Sequence, residues 1–261
     1  MLNEPLITKP FFSEKVWGNS ELNKIFKTDI KETVGEVWLF SPVLGKETNL
    51  IGLKSGKNYG KPSEIFSEID LLLKLISTSD KLSVQVHPDD KMAKILENQN
   101  NGKSEAWYFL ENNGKIKVSN KNKDIIKSLD TEEWNESLEE VFLDKGDLIF
   151  VPAGTVHALC EGSTILEIQQ SSDVTYRLYD WGRPREIHVE KAKKVLENIE
   201  TSYVISRKCE NFETKFFSVQ TIKNLKRKGF GIYVNLKTYE TIVLSENVEY
   251  FFEGEYIEFK K

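Results

Sequence analysis

Cysteine is nearly missing from this chain: Cys160 and Cys209 are the only two in 261 residues. Two thiols cannot staple a small secreted scaffold, so a packed core and a reducing, cytoplasmic compartment are expected. Long apolar runs are missing as well. The most apolar segment, IDLLLKLI (69–76), carries Lys74 and falls well short of the roughly 18 residues a membrane helix needs. The start, MLNEPLITKPFF, lacks the basic-then-apolar order of a secretory leader. Basic charge is not in excess: 41 acidic residues face 36 basic ones, for a net charge of -5. That balance argues against a nucleic-acid partner and leaves room for a local basic cluster around a small anion. There is no phosphate-loop or dinucleotide fingerprint, no internal repeat and no low-complexity tract. Histidine is scarce too, with His87, His157 and His188 the only three.

Short strand-like runs dominate what remains. GEVWLF (35–40), LLLKLIS (71–77), LSVQVH (82–87), EAWYFL (105–110), KIKV (115–118), DLIFVP (147–152), TVHALC (155–160) and TILEIQQ (164–170) are rich in β-branched and aromatic residues. ENNGK (111–115) reads as a turn around Asn-Gly. Such spacing predicts a barrel or sandwich. Helices are expected at 89–99, as one or two short pieces within 122–141, and at 185–199, where Ile187, Ala192, Val195, Leu196 and Ile199 recur at helical spacing. Five further strands are expected after residue 212, with KNLKRK (223–228) as a solvated loop between two of them.

Two stretches concentrate chemistry. In LSVQVHPDD (82–90), Ser83, Gln85 and His87 alternate with Leu82, Val84 and Val86. Side chains at i and i+2 of a strand share a face, so the three polar groups aim at one place, and Pro88 ends the strand. In KGDLIFVPAGTVHALCEG (145–162), Gly146 precedes a strand, Pro152-Ala153-Gly154 forms a corner, and His157 enters the next strand. Proline presets the turn and glycine supplies its unusual backbone angles. Taken singly, His87 is more simply a hydrogen-bonded histidine and Glu105 a solvated strand end.

The second stretch resembles the second signature of the cupin superfamily, and QVHP followed by Glu105 resembles the first. LSVQVHPDD, GKSEAWYFL, VPAGTVHAL and LEIQQSSDVTYRLYDWGR, with KVWG and VGEVWLFS upstream, together resemble the type I mannose-6-phosphate isomerases in their short bacterial form. Asn19 departs from that pattern, where a second glycine is usual. The resemblance implies an all-β-dominated fold, a cupin jelly-roll barrel with few helices and a small C-terminal β domain. It implies a catalytic domain over 1–184 with a helical insert near 121–141, a connecting helix over 185–200, and the C-terminal region over 201–261. It implies zinc held by Gln85, His87, Glu105 and His157, and catalysis by Arg177, Glu167 and Lys103. Ser83, Lys103 and Arg177 would then meet a phosphosugar substrate, mannose 6-phosphate or fructose 6-phosphate. Glu167 serves either as a base, a role a zinc-linked water or hydroxide could also fill, or as half of a structural ion pair; Arg177 serves either as a substrate cation or as a partner of Asp173, and Lys103 either near the substrate or as a solvated lysine. His188 reads as structural. A monomer or dimer without membrane partners is expected. The rival readings are another cupin phosphosugar isomerase and a non-catalytic cupin-like sugar-binding protein.

Overall fold

The computed structural model describes residues 2–119, 121–129, 131 and 136–261. The described residues form three antiparallel sheets and a few helices. A seven-stranded sheet lies in the middle of the molecule, built from Val204–Ser206, Leu148–Val151, Glu105–Phe109, Thr164–Gln170, Leu71–Ser77, Val34–Phe40 and Phe11–Glu14. Both of its faces are covered, which is why Leu71–Ser77, Val34–Phe40 and Thr164–Gln170 are buried at every residue.

Alternation along those strands sorts their side chains between two cores. Leu71, Leu73, Leu75, Ala106, Tyr108, Leu166 and Ile168 pack toward an eight-stranded sheet that includes Leu6, Leu50, Ile232, Val243 and Phe259. The intervening residues Ile76, Trp107, Phe109 and Ile165 pack the other way, against Ile116, Val118, Leu143 and Leu159 of a five-stranded sheet. That second core is the inside of the expected cupin-type barrel. Lys74, Glu105 and Glu167 keep the same alternation, so they enter the barrel as well. The outer face of the five-stranded sheet (Val84, Val86, Val156, Ala158, Tyr176 and Leu178) is sealed by Met92, Ile125, Ala192, Val195 and Leu196. Beside the apolar residues of the barrel core, its inner face carries Gln85, His157 and Arg177.

The eight-stranded sheet joins both ends of the chain. Thr241–Leu244 pairs with Leu6–Lys9 in the register Leu6↔Val243, and Asn49–Gly52 and Asn58–Gly60 extend the same sheet. Val204–Ser206 adds to the middle sheet beside Leu148–Val151.

Several details differ from the sequence expectation, among them the helices Ser20–Ile25 and Pro62–Ile65 and the strands Leu6–Lys9, Asn49–Gly52 and Asn58–Gly60, which are not among the expected elements. The helix expected from 185 begins at Val189, because the preceding residues are committed elsewhere: Arg185 is clamped by Asp180 and the His188 N–H bonds to Arg177. Residues 223–228 lie within the strand Ser218–Lys228 rather than a loop. Lys223, Lys226 and Arg227 are met from the neighbouring strand by Glu255, Glu249 and Glu258. The last two of the five strands expected after residue 212, VEYFFEG (248–254) and EYIEFK (255–260), are one, Glu249–Lys260, which runs through Gly254 at φ +96°. In the insert, Asn122–Ser128 is helical and Glu139–Leu143 is a strand; residues 130 and 132–135 lie outside the described residues. No described helix is long and apolar enough to cross a membrane.

Candidate active site

Three segments are bolted together at the corner Pro152-Ala153-Gly154. The Gly154 N–H donates to the carbonyl of His87 (2.9 Å), the Ala153 N–H to Ser104 Oγ (3.1 Å), and the Thr155 N–H to the Pro152 carbonyl (3.2 Å). Gly154 sits at φ +87°, where a Cβ would also strike Ile199 at 2.5 Å. The corner thus fixes His157, His87 and the Lys103–Glu105 run relative to one another. Across the five-stranded sheet, Gln85 lies opposite His157 on one side and Arg177 on the other. Glu105 faces them from the middle sheet.

The ligating atoms of His87, Glu105 and His157 all lie within 4.8 Å of one another. His157 Nε2 is 3.2 Å from Glu105 Oε1, and His87 Nε2 is 3.6 Å from Glu105 Oε2. Each imidazole donates from Nδ1 to a backbone carbonyl: His87 to Val174 and His157 to Thr155, both at 2.9 Å. That pairing leaves the Nε2 lone pairs pointed inward, as metal-binding imidazoles are held, with Lys103 Nζ against the one of His87 and the Gln85 amide against the one of His157. The Gln85 amide lies 3.4 Å from His157 Nε2, and its Oε1 accepts from Ser83 Oγ at 3.2 Å. Neither oxygen of the fully buried Glu105 has a well-aligned hydrogen bond. Its compensation is charge: Lys103 Nζ is 2.8 Å from Oε2 and 3.1 Å from His87 Nε2.

Two inward-facing imidazole nitrogens, a buried carboxylate without a well-aligned hydrogen bond and a neighbouring amide suit zinc, and neither cysteine belongs to the cluster to suggest thiolate ligation. Burial, then Lys103, holds the His87 imidazole well below its ordinary value of 6.5, so it is neutral. Burial works to raise the Glu105 carboxyl, but Lys103 and the two histidines hold it well below 4.5. Both groups are therefore in their metal-binding protonation state at neutral pH. A group held low when folded takes up its proton at higher pH when unfolded, so its stabilisation is lost on acidification. The metal-free protein is expected to lose stability first below pH 6.5 through His87 and again below pH 4.5 through Glu105. Denaturant titrations at stepped pH test this, and His87→Ala should flatten the first stage.

Above these residues opens a cavity of about 270 Å³ whose wall includes Ser83, Gln85, Lys103, Glu167 and Arg177. Glu167 is held at both oxygens, by Trp107 Nε1 (3.1 Å) and Lys74 Nζ (3.0 Å). Burial outweighs Lys74, and its carboxyl is raised above the ordinary range. Most cations of the wall are already matched. Lys15 meets Glu36 at 3.4 Å, Lys74 meets Glu167, and Arg185 is bidentate on Asp180. Arg177 differs. It does not pair with Asp173, which is taken by Lys46. Its Nη1 donates to the Glu186 carbonyl at 2.6 Å, and its buried Nε has no partner.

Lys74, Glu36, Lys15, Trp107 and Arg185 also line the cavity and were not singled out from sequence. A usable signal existed for Lys74. It is the lone charge in the strand LLLKLIS, and a lysine inside a wholly apolar strand has to be paired.

The family description "Phosphomannose isomerase type I, catalytic domain" matches residues 6–113. The probable mannose-6-phosphate isomerase GmuF of Bacillus subtilis is 34% identical over 220 residues, which cover 75% of this chain and 69% of the relative. The crystal structure of the mannose 6-phosphate isomerase from Bacillus subtilis superposes with a TM-score of 0.75 at 23% identity, over 99% of this chain and 100% of that one. A zinc-bound mannose 6-phosphate isomerase superposes at 0.73 with 14% identity, over 99% of each chain.

Proposed function

The chain belongs to the type I phosphomannose isomerase family, and we propose that it interconverts mannose 6-phosphate and fructose 6-phosphate through a cis-enediol in the cavity beside Glu105. The observation that carries this reading is the pairing of a buried carboxylate and two inward-facing imidazole Nε2 atoms, all within 4.8 Å of one another, with an unmatched guanidinium on the neighbouring cavity.

Gln85, His87, Glu105 and His157 hold zinc in this reading. Zinc supplies a Lewis acid that polarises the substrate's carbonyl and hydroxyl oxygens. The isomerisation moves one proton between C2 and C1, so a base must take it from one carbon and return it to the other. Glu167 fills that role. Its raised carboxyl is a stronger base than an ordinary glutamate, and Lys74 and Trp107 fix its direction. Arg177 supplies uncompensated positive charge for the substrate's anionic oxygens. Lys103 stands between His87 and Glu105, where it meets a substrate hydroxyl at the wall, and Ser83 supports Gln85. Both cysteines are free and buried, which fits work in a reducing cytoplasm.

Conversion of mannose 6-phosphate to fructose 6-phosphate, measured before and after chelation and with zinc added back, tests the reading. Activity should disappear on chelation and return with zinc. Turnover of glucose 6-phosphate alone would favour another phosphosugar isomerase. Zinc binding without any turnover would favour a sugar-binding protein.

A further inference from the structure

Of the three histidines, His188 stands apart from the metal cluster. It caps the helix Val189–Asn198 and is 24% exposed. The strand Tyr176–Tyr179 is the outermost of the five-stranded sheet, so one edge of its backbone has no strand partner. At Arg177 that edge is covered by His188. The His188 N–H donates to the Arg177 carbonyl at 2.7 Å, and the Arg177 N–H donates to His188 Nδ1 at 3.2 Å. Both backbone groups of Arg177 are thereby turned away from Gln85, its partner in register. Residues paired without mutual hydrogen bonds have the closer side chains, so Arg177 and Gln85 leave the sheet side by side. Two residues before His188, the Glu186 carbonyl accepts Arg177 Nη1. The segment 186–188 thus grips Arg177 at its main chain and at its guanidinium.

The tautomer fits this role. Accepting at Nδ1 puts the proton of His188 on Nε2, which faces the Glu186 carboxylate at 3.8 Å. His87 and His157 carry theirs on Nδ1 and expose Nε2. Two histidines are set up as ligands, and the third is set up as a backbone acceptor.

We propose that His188 is a positioning residue for Arg177, holding the edge strand so that the guanidinium stays in the cavity. The inference rests on the reaction proposed above. Asparagine at 188 can place its amide oxygen near the position of Nδ1, whereas glutamine carries its oxygen one bond farther out. Both are uncharged and keep the backbone N–H. His188→Asn should retain kcat/KM within about threefold, while His188→Gln and His188→Ala should lose about 10- to 100-fold with zinc content unchanged. In an Arg177→Ala background, His188→Gln should cost less than about twofold, because the group it positions is gone. Equal activity of the Asn, Gln and parent proteins would overturn the proposal. So would an undiminished loss in the Arg177→Ala background. A parent protein that binds zinc but turns over no phosphosugar would instead overturn the reaction, and with it the role of His188.

Discussion

His87→Ala is expected to abolish zinc retention and to lower mannose 6-phosphate turnover by at least about 10³-fold, since a Lewis acid at this site contributes several kcal/mol to the barrier. The loss is steep because His87 is tied in at three points. Its Nδ1 is anchored on Val174, its carbonyl holds the corner at Gly154, and its Nε2 faces Glu105. Alanine keeps the backbone bond to Gly154, removes the neutral imidazole with its bond to Val174, and strands no buried charge. The substitution therefore separates metal binding from folding better than Glu105→Gln would. Removing the Glu105 charge leaves the Lys103 ammonium buried without its partner, which costs about 3–5 kcal/mol of stability on its own. Metal content by atomic absorption, thermal melting and turnover, measured on the same preparation, test the expectation. Normal turnover from a metal-free His87→Ala protein would sink the metal reading.

What could be read from the amino-acid order depended on whether the information was local. The shared face of Ser83, Gln85 and His87 follows from period-two alternation, and the Pro152–Gly154 corner from the backbone demands of those two residues. The strand Thr164–Gln170 coincides with the run TILEIQQ. The role of Lys74 is not legible locally, because its partner Glu167 is 93 positions away in sequence but next to it across the ladder. Residues 223–228 look like a soluble loop until the acids of Glu249–Lys260 are placed opposite them. The helix at Val189–Asn198 starts four residues later than its pattern suggests because the edge of a different strand claims His188. Each miss is a case of long-range pairing overriding a local preference.

Arg177→Ala is the counterpart test, because it should leave the metal in place and remove the charge. Arg177 makes no bond to the side chains of His87, Glu105 or His157, so zinc affinity should change by less than about twofold. Turnover should fall by about 10²- to 10³-fold, the loss typical of deleting one preorganised donor from a reacting oxyanion. The other wall cations cannot stand in. Lys15, Lys74 and Arg185 are each committed to a carboxylate, and releasing one would strand its partner. Arg177→Lys should recover only a small part of the rate. A lysine restores the charge but not the planar fork that lets one nitrogen hold the Glu186 carbonyl while the others face the cavity. Saturation kinetics of the alanine and lysine variants, read beside their zinc content, decide the point. Parent-level turnover in Arg177→Ala would reassign the anion-binding role to the paired cations of the wall, and a loss of zinc in that variant would show that Arg177 acts through Gln85 rather than on the substrate.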